Sequence, residues 1–320
     1  METRMTNRST LIGALAFLVL AAAAPALPPW LISLATIAFA HALVVLGLVI
    51  MWRAGLVSFG QALYYAVGAY CVALVSRFTG ITDAFVLIVL GGLAAGLLAV
   101  LVGFLLARYR EIFFAMLSLA MSMILYGVLV KTEALGSTDG FNVAPATFLG
   151  YAPEGAMLNL ALFWLVLVLS ALAAAAIGVY FRSVAGAIAV PVRDNEIRIE
   201  FLGLSVNRLI HLKLVIAGIL GGVGGALAAM TISHVDPNMA YWTTSGGFVF
   251  VTILAGAGSI AAAFVGSFAF EMLRSIAVAL LPGAWQLILG SVLLITILFV
   301  PDGLGSLFMR KTRGKEGEPA

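Results

Sequence analysis

Long apolar runs separated by short polar breaks repeat along the whole 320-residue chain. A helix that crosses a hydrocarbon core about 30 Å thick needs about 20 consecutive apolar residues, and most of these runs approach or reach that length. When each run is read to the nearest charge, glycine or proline, the pattern predicts ten helical spans. They lie near residues 11–27, 31–51, 57–76, 84–107, 112–130, 157–181, 211–233, 247–258, 260–281 and 285–303.

The predicted fold class is therefore all-α, a polytopic bundle of about eight to ten transmembrane helices. The 247–258 run is too short for a full crossing and ends in AGAGS, which indicates a broken or partly re-entrant segment shielded by protein. The first run follows a basic N-terminus and has the features of a signal peptide, but the series of spans behind it favours an uncleaved first helix.

Lysine and arginine are distributed unevenly between the two sides that ten spans define. With the N-terminus inside, the cytoplasmic side receives Arg4, Arg8, Arg53, Arg108, Arg110, Arg182, Arg193, Arg198, Arg208, Lys213, Arg310, Lys311, Arg313 and Lys315, and the outside receives Arg77 and Lys131. Such a bias predicts that both termini are cytoplasmic. The expected division is a cytoplasmic N-terminal segment (1–10), a transmembrane domain (11–308) and a basic cytoplasmic tail (309–320).

Composition narrows the classes of function. The chain is 63% hydrophobic and only 10% charged, and its net charge of +3 fits cytoplasmic loops of a membrane protein better than a nucleic-acid interface. The single cysteine, Cys71, offers neither a disulfide nor a thiolate metal site, and His41, His211 and His234 lack metal-binding spacing. No P-loop motif occurs. We therefore expect no enzyme activity, metal or cofactor, and any ATP that drives the protein binds to another subunit.

Uncharged polar residues recur at helical spacing inside two predicted spans. Ser58, Gln61 and Tyr65 follow i, i+3, i+7, and Ser118, Ser122 and Tyr126 follow i, i+4, i+8, so that each set is expected along one helix face. Two interpretations fit equally: the faces line a pathway for a solute, or they hold helices together by hydrogen bonds.

Charges inside the predicted spans are few. Glu271 and Arg274, three positions apart, are expected to pair on one helix face, either as a neutralised structural pair or as a functional site. His41 lies inside a span and fits a helix-packing hydrogen bonder better than a ligand. A proton-coupled transporter or an ion pump requires a series of such charges across several spans, and the sequence has no such series.

Two polar loops are long enough to do more than turn. The outer loop, about residues 131–156, contains GSTDGF, in which Ser137, Thr138, Asp139 and Gly140 have the composition of a tight turn. Its predicted place on the outer face would also let it meet an incoming ligand or a docked protein.

The inner loop, about residues 182–210, contains the charged stretch RDNEIRIEFLG (193–203). Asp194 is expected to cap a short helix that follows Pro191 and ends at Gly203. Ile197, Phe201 and Leu204 would form its apolar strip, and charged side chains would cover the rest. Because both signs of charge are present, docking against another protein fits better than a membrane-surface anchor, although a solvated loop also remains open.

Five stretches together resemble one family, the permease subunits of branched-chain amino-acid ABC importers of the Liv type, M-type subunit. GLVSFGQALYYAVGAY (55–70) is similar to its early signature, FAMLSLAMSMILY (114–126) to its middle helix, and GSTDGF (136–141) to the following loop. RDNEIRIEFLG (193–203) is similar to its cytoplasmic motif, and FVPDGLGSLF (299–308) to its closing motif. Their order and spacing agree over about residues 40–308.

The resemblance implies a multi-pass subunit of the bacterial inner membrane that takes up branched-chain amino acids or a similar small polar solute. It implies four kinds of contact: a second homologous permease subunit, two ABC ATPase subunits, a periplasmic solute-binding protein and the lipid bilayer. The cytoplasmic motif would be a coupling helix seated on an ATPase, with Arg193, Asp194, Asn195, Glu196, Arg198, Glu200, Phe201 and Gly203 as its contact residues.

The resemblance also implies a translocation path and an outer contact. Ser58, Gly60, Gln61 and Ser118 would join the polar faces described above in lining the path, and Asp139 and Gly140 would belong to the outer loop. Ile199 and Phe201 stand where the family has small residues, which suggests a dedicated ATPase partner. The alternative function is an ion- or proton-coupled secondary transporter of a small solute.

Overall fold

The computed structural model describes residue 17, residues 19–256 and residues 259–299. Within these residues the chain is mostly helical, which confirms the all-α fold class. The predicted N-terminal segment (1–10), the basic tail (309–320), most of the first span and nearly all of the closing motif lie outside the described residues. The cytoplasmic position of both termini therefore stays a prediction.

Helices follow one another along the described chain with short connections. In order they are α1 (Pro29–Trp52), α2 (Gln61–Thr79), α3 (Ala84–Leu106), α4 (Glu111–Lys131), α5 (Ala156–Arg182), α6 (Val184–Ala187), α7 (Ala189–Asp194), α8 (Glu196–Phe201), α9 (Val206–Ile232), α10 (Trp242–Ala255), α11 (Ile260–Leu280) and α12 (Trp285–Phe299). Short 3₁₀ turns occupy Ala24–Ala26, Glu133–Leu135 and Pro237–Ala240. Among the described residues, seven helices, α1 to α5, α9 and α11, are long and apolar enough to cross a membrane.

The predicted spans match the helices except at a few ends. The short run near 247–258 is α10, whose 14 residues confirm that it is too short for a full crossing. The span predicted near 211–233 begins earlier, at Val206, and the helix passes through Lys213. Lys213 lies inside the predicted span but is counted with the cytoplasmic cations. Its amine is buried and donates to the Tyr180 hydroxyl at 3.1 Å and to the Ala185 carbonyl at 3.2 Å.

Helix α9 lies at the centre of the bundle and packs closely on α2 and α3. A side chain on Gly222 would collide with Ala95 and with the Gly91 carbonyl oxygen of α3, and one on Gly225 would collide with the Tyr65 backbone of α2. Only glycine lets these backbones approach so closely. In lipid, where the hydrophobic effect does not drive helices together, such close packing holds them in contact. The centre of the fold therefore depends on van der Waals contact between backbones.

A short sheet ties the loop after α4 to the end of α9. Strand β1 (Phe141–Asn142) pairs antiparallel with β2 (His234–Val235), with Phe141 opposite Val235. The loop after α2 joins the same side, because the Asp83 carboxylate caps α3 and also accepts from the Leu149 amide at 2.6 Å. Helices α6 to α8 lie at the other ends of α5 and α9, on the opposite side of the bundle.

Candidate functional site

Helix α2 begins inside the bundle rather than at its edge. An irregular segment, residues 53–60, follows α1 and turns back into the protein before Gln61 starts the helix. The Gln61 amide lies beside Gly221, fifteen residues along α9, which corresponds to about 22 Å from the start of that helix. Gly60 lies against Ser118, seven residues into α4, or about 10 Å. The first turn of α2 therefore lies within the depth of the membrane-spanning helices.

Three serine hydroxyls accept hydrogen bonds from backbone amides at this broken end. Ser58 Oγ accepts from the Gly60 amide at 3.2 Å, Ser118 Oγ from the Phe59 amide at 3.1 Å, and Ser245 Oγ from the Ala62 amide at 3.0 Å. The first amides of a helix have no partner within the helix, and no water reaches this depth in lipid. Ser245 of α10 therefore satisfies one first-turn amide of α2, while Ser58 and Ser118 satisfy the two amides that directly precede the helix.

The predicted α4 face is confirmed. It contacts the start of α2, the 53–60 segment and the start of α10, and we call the place where these elements meet the junction. Ser118 and Ser122 are both buried, and Ser122 Oγ donates to the Ala240 carbonyl at 2.8 Å. The ring of Tyr126 packs on Tyr241, with ring centroids 4.8 Å apart. Helix α4 thus contacts both irregular segments, residues 53–60 and the turn Pro237–Ala240. These contacts include the interhelical hydrogen bonds that the second interpretation expected, and a role in a pathway stays a prediction.

The other predicted face is wrong in its geometry. Ser58 precedes the helix because Gly60 has a non-helical backbone, so Ser58, Gln61 and Tyr65 do not share one helix face. Ser245, which completes the junction, was missed by the sequence reasoning. It lies in TTSGG at the start of α10, two residues before the run predicted near 247–258, and no pattern in the sequence singled it out.

The side chain of Gln61 is the least satisfied polar group of the junction. It is fully buried, and neither its amide nitrogen nor its amide oxygen has a hydrogen-bond partner among the described residues. The buried hydroxyl of Tyr64 is likewise without a partner. A primary amide offers two donors and an acceptor, and leaving them unpaired in an apolar interior is unfavourable. The junction therefore contains unused hydrogen-bonding capacity at the start of α2.

A second polar cluster joins four helices nearby. His41 Nδ1 lies 2.8 Å from Glu271 Oε1, and His41 Nε2 lies 3.1 Å from the Tyr65 hydroxyl. Arg274 Nη1 lies 3.7 Å from the same Glu271 oxygen, as the predicted i, i+3 pair requires. Phe248 of α10 packs edge-on against the His41 ring. His41 is thus confirmed as a packing residue, but its partner Glu271 is 230 positions away and was not predicted.

The segment between α5 and α9, predicted to be cytoplasmic, contains three short helices instead of one. Pro191 does not precede the helix but lies in the first turn of α7, where a proline is tolerated. Asp194 ends α7 and is not the cap, which corrects the prediction. The cap is Asn195, whose side chain accepts from the Arg198 amide at 3.0 Å. Gly203, at φ +82°, closes the segment after α8 as predicted.

The predicted apolar strip of this segment also needs correction. Ile199, not Ile197 or Phe201, is the buried residue of α8, and it packs in a cluster with Leu56, Leu106 and Phe114. Ile197 and Phe201 are 66% and 87% exposed. Pattern alone identified an apolar face but not which neighbour covers it. The correction leaves an exposed apolar surface on α8, formed by Ile197, Phe201 and Leu202.

The charged residues of the segment lie in different surroundings. Asp194, Arg198 and Glu200 are exposed. The aliphatic part of Arg193 contacts Gly55 in the irregular segment after α1. Glu196 turns inward and pairs with Arg110, with Nε and Oε1 2.6 Å apart. Sequence reasoning missed Arg110 because 86 positions separate the two residues.

The loop after α4, predicted to lie on the outer face, is packed against the bundle. Ser137 Oγ donates to the Val130 carbonyl at 2.9 Å, and Thr138 donates to Asp139 at 3.2 Å. Gly140, at φ +64°, lies directly against the Val235 backbone, where a side chain would collide. The predicted turn is confirmed, and its backbone fits against β2. Thr138 and Asp139 remain exposed at its tip.

Comparison with known proteins agrees with this architecture. Residues 30–298 match the family described as branched-chain amino acid transport system / permease component. The chain is 25% identical over 315 residues to the high-affinity branched-chain amino acid transport system permease protein LivM of Escherichia coli (strain K12), an alignment that covers 89% of this chain and 72% of that protein. It is 25% identical over 316 residues to the protein of the same name from Salmonella typhimurium, covering 90% and 72%. No solved structure matches. Because the family match spans most of the chain, this membrane protein belongs to the branched-chain amino acid transport permeases.

Proposed function

We propose that the chain is the permease subunit of an ABC importer in a bacterial inner membrane, and that it takes up branched-chain amino acids or a similar small polar solute. It works with a second, homologous permease subunit, two ATPase subunits and a periplasmic solute-binding protein. The transmembrane domain extends over residues 11–308, and the segments 1–10 and 309–320 lie in the cytoplasm. Both LivM relatives are named as transport permeases, which supports this assignment.

The observation that carries the proposal is the two-sided construction of α8. Ile199 anchors the helix in the bundle, while Ile197, Phe201 and Leu202 are exposed on the end of the molecule predicted to face the cytoplasm. Contiguous apolar surface outside the membrane indicates a protein interface. The exposed charges of Asp194, Arg198 and Glu200 surround it, as the polar rim of an interface does. We infer that this surface seats on an ATPase subunit.

The junction at the start of α2 is the proposed translocation site. We assign to it the path residues Ser58, Gly60, Gln61, Tyr65, Ser118, Ser122 and Tyr126, and also Ser245, because its hydroxyl accepts from the Ala62 amide at the same place. Broken helices near the middle of a membrane protein are common substrate sites in transporters, because freed backbone and side-chain groups face the solute there. The unpartnered Gln61 amide is available to a solute once α4 and α10 move away from the start of α2. Thr138 and Asp139 face the solute-binding protein.

The secondary-transporter alternative rests on the cluster of His41, Glu271 and Arg274. A proton pathway requires ionisable groups in series across the membrane. Here His41 and Arg274 both contact Glu271 in one compact cluster that joins α1 to α11, and this arrangement supports a structural role.

Docking on the ATPase can be tested with one substitution and a matched control. Phe201→Asp places a charge in the proposed apolar contact, so we expect the ATPase subunits to be lost on co-purification and ATP-driven uptake to fall. Leu149→Asp changes an equally exposed apolar residue, 85% against 87% exposed, on the opposite side of the bundle, and should leave co-purification unchanged. Retention of the ATPases by Phe201→Asp contradicts the proposal, as does uptake by the chain alone on an ion gradient.

A further inference from the structure

Arg110 joins four elements at the cytoplasmic end of the bundle. Its Nε donates to Glu196 of α8 at 2.6 Å, and its Nη2 donates to the Asn207 side chain of α9 at 2.8 Å. Its Nη1 donates to the carbonyl of Ala107 at 2.6 Å, just after the end of α3, and to that of Tyr109 at 3.0 Å. The residue itself precedes α4. One planar guanidinium, with donors in fixed directions, thus sets the position of α8 relative to α3, α4 and α9.

The backbone beside Arg110 is constrained. Glu111, the first residue of α4, has φ +50°, a conformation that is uncommon for residues other than glycine. Such a residue persists only where its surroundings hold it, and the hydrogen bonds of Arg110 are next to it. Arg110 and Glu111 form the corner between α3 and α4. The direction of α4 at this corner is therefore linked to the contact between Arg110 and α8.

Helix α4 connects this corner to the proposed translocation site without a break. Ser118 lies eight residues beyond Arg110, about 12 Å along the helix. Its hydroxyl accepts a hydrogen bond from the Phe59 amide, just before α2. One turn further, the Ser122 hydroxyl donates a hydrogen bond to the carbonyl of Ala240 in the Pro237–Ala240 turn. A displacement at the lower end of α4 therefore reaches both irregular segments as movement of one rigid element.

We infer that Arg110 is the positioning residue that transmits movement of the coupling helix α8, through α4, to the start of α2. The inference rests on the proposed function, since α8 moves only when ATPase subunits act on it. The buried Ile199 keeps α8 attached to the bundle but has no directional bond. The ion pair between Glu196 and Arg110 supplies that direction. Both of its side chains are partly exposed, so that its loss should not unfold the protein.

The test uses the complete transporter in lipid nanodiscs and measures amide hydrogen exchange of residues 57–64 with and without ATP and vanadate. In the unchanged protein we expect exchange in this segment to change when ATP is trapped. In Arg110→Gln this change should disappear and uptake per ATP hydrolysed should fall about tenfold, while residues 193–203 stay protected by the ATPases. Arg108→Gln is the matched control, because Arg108 is exposed and makes no side-chain hydrogen bond to the described residues.

A charge exchange between Arg110 and Glu196 distinguishes loss of transmission through this ion pair from general damage to the fold. The charge exchange Arg110→Glu with Glu196→Arg should restore a large part of the uptake that Arg110→Glu alone removes. The inference is overturned if Arg110→Gln keeps the ATP-dependent change at 57–64, if the unchanged protein shows none, if Arg108→Gln has the same effect, or if the exchange restores nothing. Failure of the proposed function gives a different result, because residues 193–203 would then gain no protection from the ATPases even in the unchanged protein.

Discussion

The His41 imidazole and the Glu271 carboxylate lie 2.8 Å apart, although 230 positions separate them in the chain. Their contact joins α1 to α11, and the Tyr65 hydroxyl extends it to α2. Glu271 is 12% exposed, so its charge is shielded from solvent and depends on these partners.

Removing one partner of this contact should destabilise the bundle more than removing both. His41→Leu leaves the Glu271 carboxylate with only the longer Arg274 contact, and we expect a loss of about 2 kcal/mol in the free energy of unfolding. His41→Leu with Glu271→Leu should recover much of that loss. Thermal unfolding in detergent measures both, and a double variant less stable than His41→Leu would contradict the expectation.

The central glycine packing predicts a large effect from one methyl group. Gly222→Ala should destabilise the protein by about 1–3 kcal/mol or prevent its folding, because the new carbon collides with Ala95 and the Gly91 carbonyl. Gly127→Ala in α4 is the control, since no atom lies within 4 Å of its added carbon. Alanine is the better helix former, so this variant should be as stable as the unchanged protein or more so.

Gln61 should show opposite effects on stability and on transport. Gln61→Leu removes an amide without partners from a buried site, so we expect a gain of about 1 kcal/mol in the closed state. Uptake should nevertheless fall, because the proposed solute contact is lost. Ser170→Ala removes another unpartnered buried group in α5 and should leave uptake unchanged. Full uptake by Gln61→Leu would remove Gln61 from the path.

The cap of α8 distinguishes the two adjacent residues Asp194 and Asn195. Asn195→Ala removes the acceptor of the Arg198 amide and should destabilise this short helix by about 1 kcal/mol. Asp194→Ala should have little effect, because its side chain makes no cap. Hydrogen exchange over residues 196–201 reports the difference. Faster exchange in Asp194→Ala than in Asn195→Ala would restore the assignment made from the sequence.

The sequence was sufficient wherever a signal is local. Apolar runs located the membrane helices, because a helix in lipid needs apolar residues over its whole length. The short α10 was recognised by its length, and the turn at Gly140 by its composition. The serine spacing on α4 correctly predicted one face, because α4 is an unbroken helix over that stretch.

The sequence was insufficient wherever tertiary contact decides. Ser58 and Gln61 have helical spacing, but the helix begins only at Gln61. The residue before it, Gly60, is non-helical and packs against Ser118, a residue of another helix. Which apolar residue of α8 is buried depends on the cluster of side chains from α3, α4 and α9, and Ile199 is the residue that packs in it. The partners Arg110 and Glu196 carry no mutual signal in the chain, since each reads as an ordinary loop charge.

The three serine hydrogen bonds around the start of α2 have a consequence for how the proposed translocation site opens. Two of the three acceptors come from other helices, Ser118 from α4 and Ser245 from α10, so that withdrawal of either helix alone strips a backbone amide of its acceptor within the membrane. Partial opening is therefore penalised at every intermediate step. The junction favours an all-or-none transition. In it, α4, α10 and the 53–60 segment separate in a single step, and a solute is either fully enclosed or fully released.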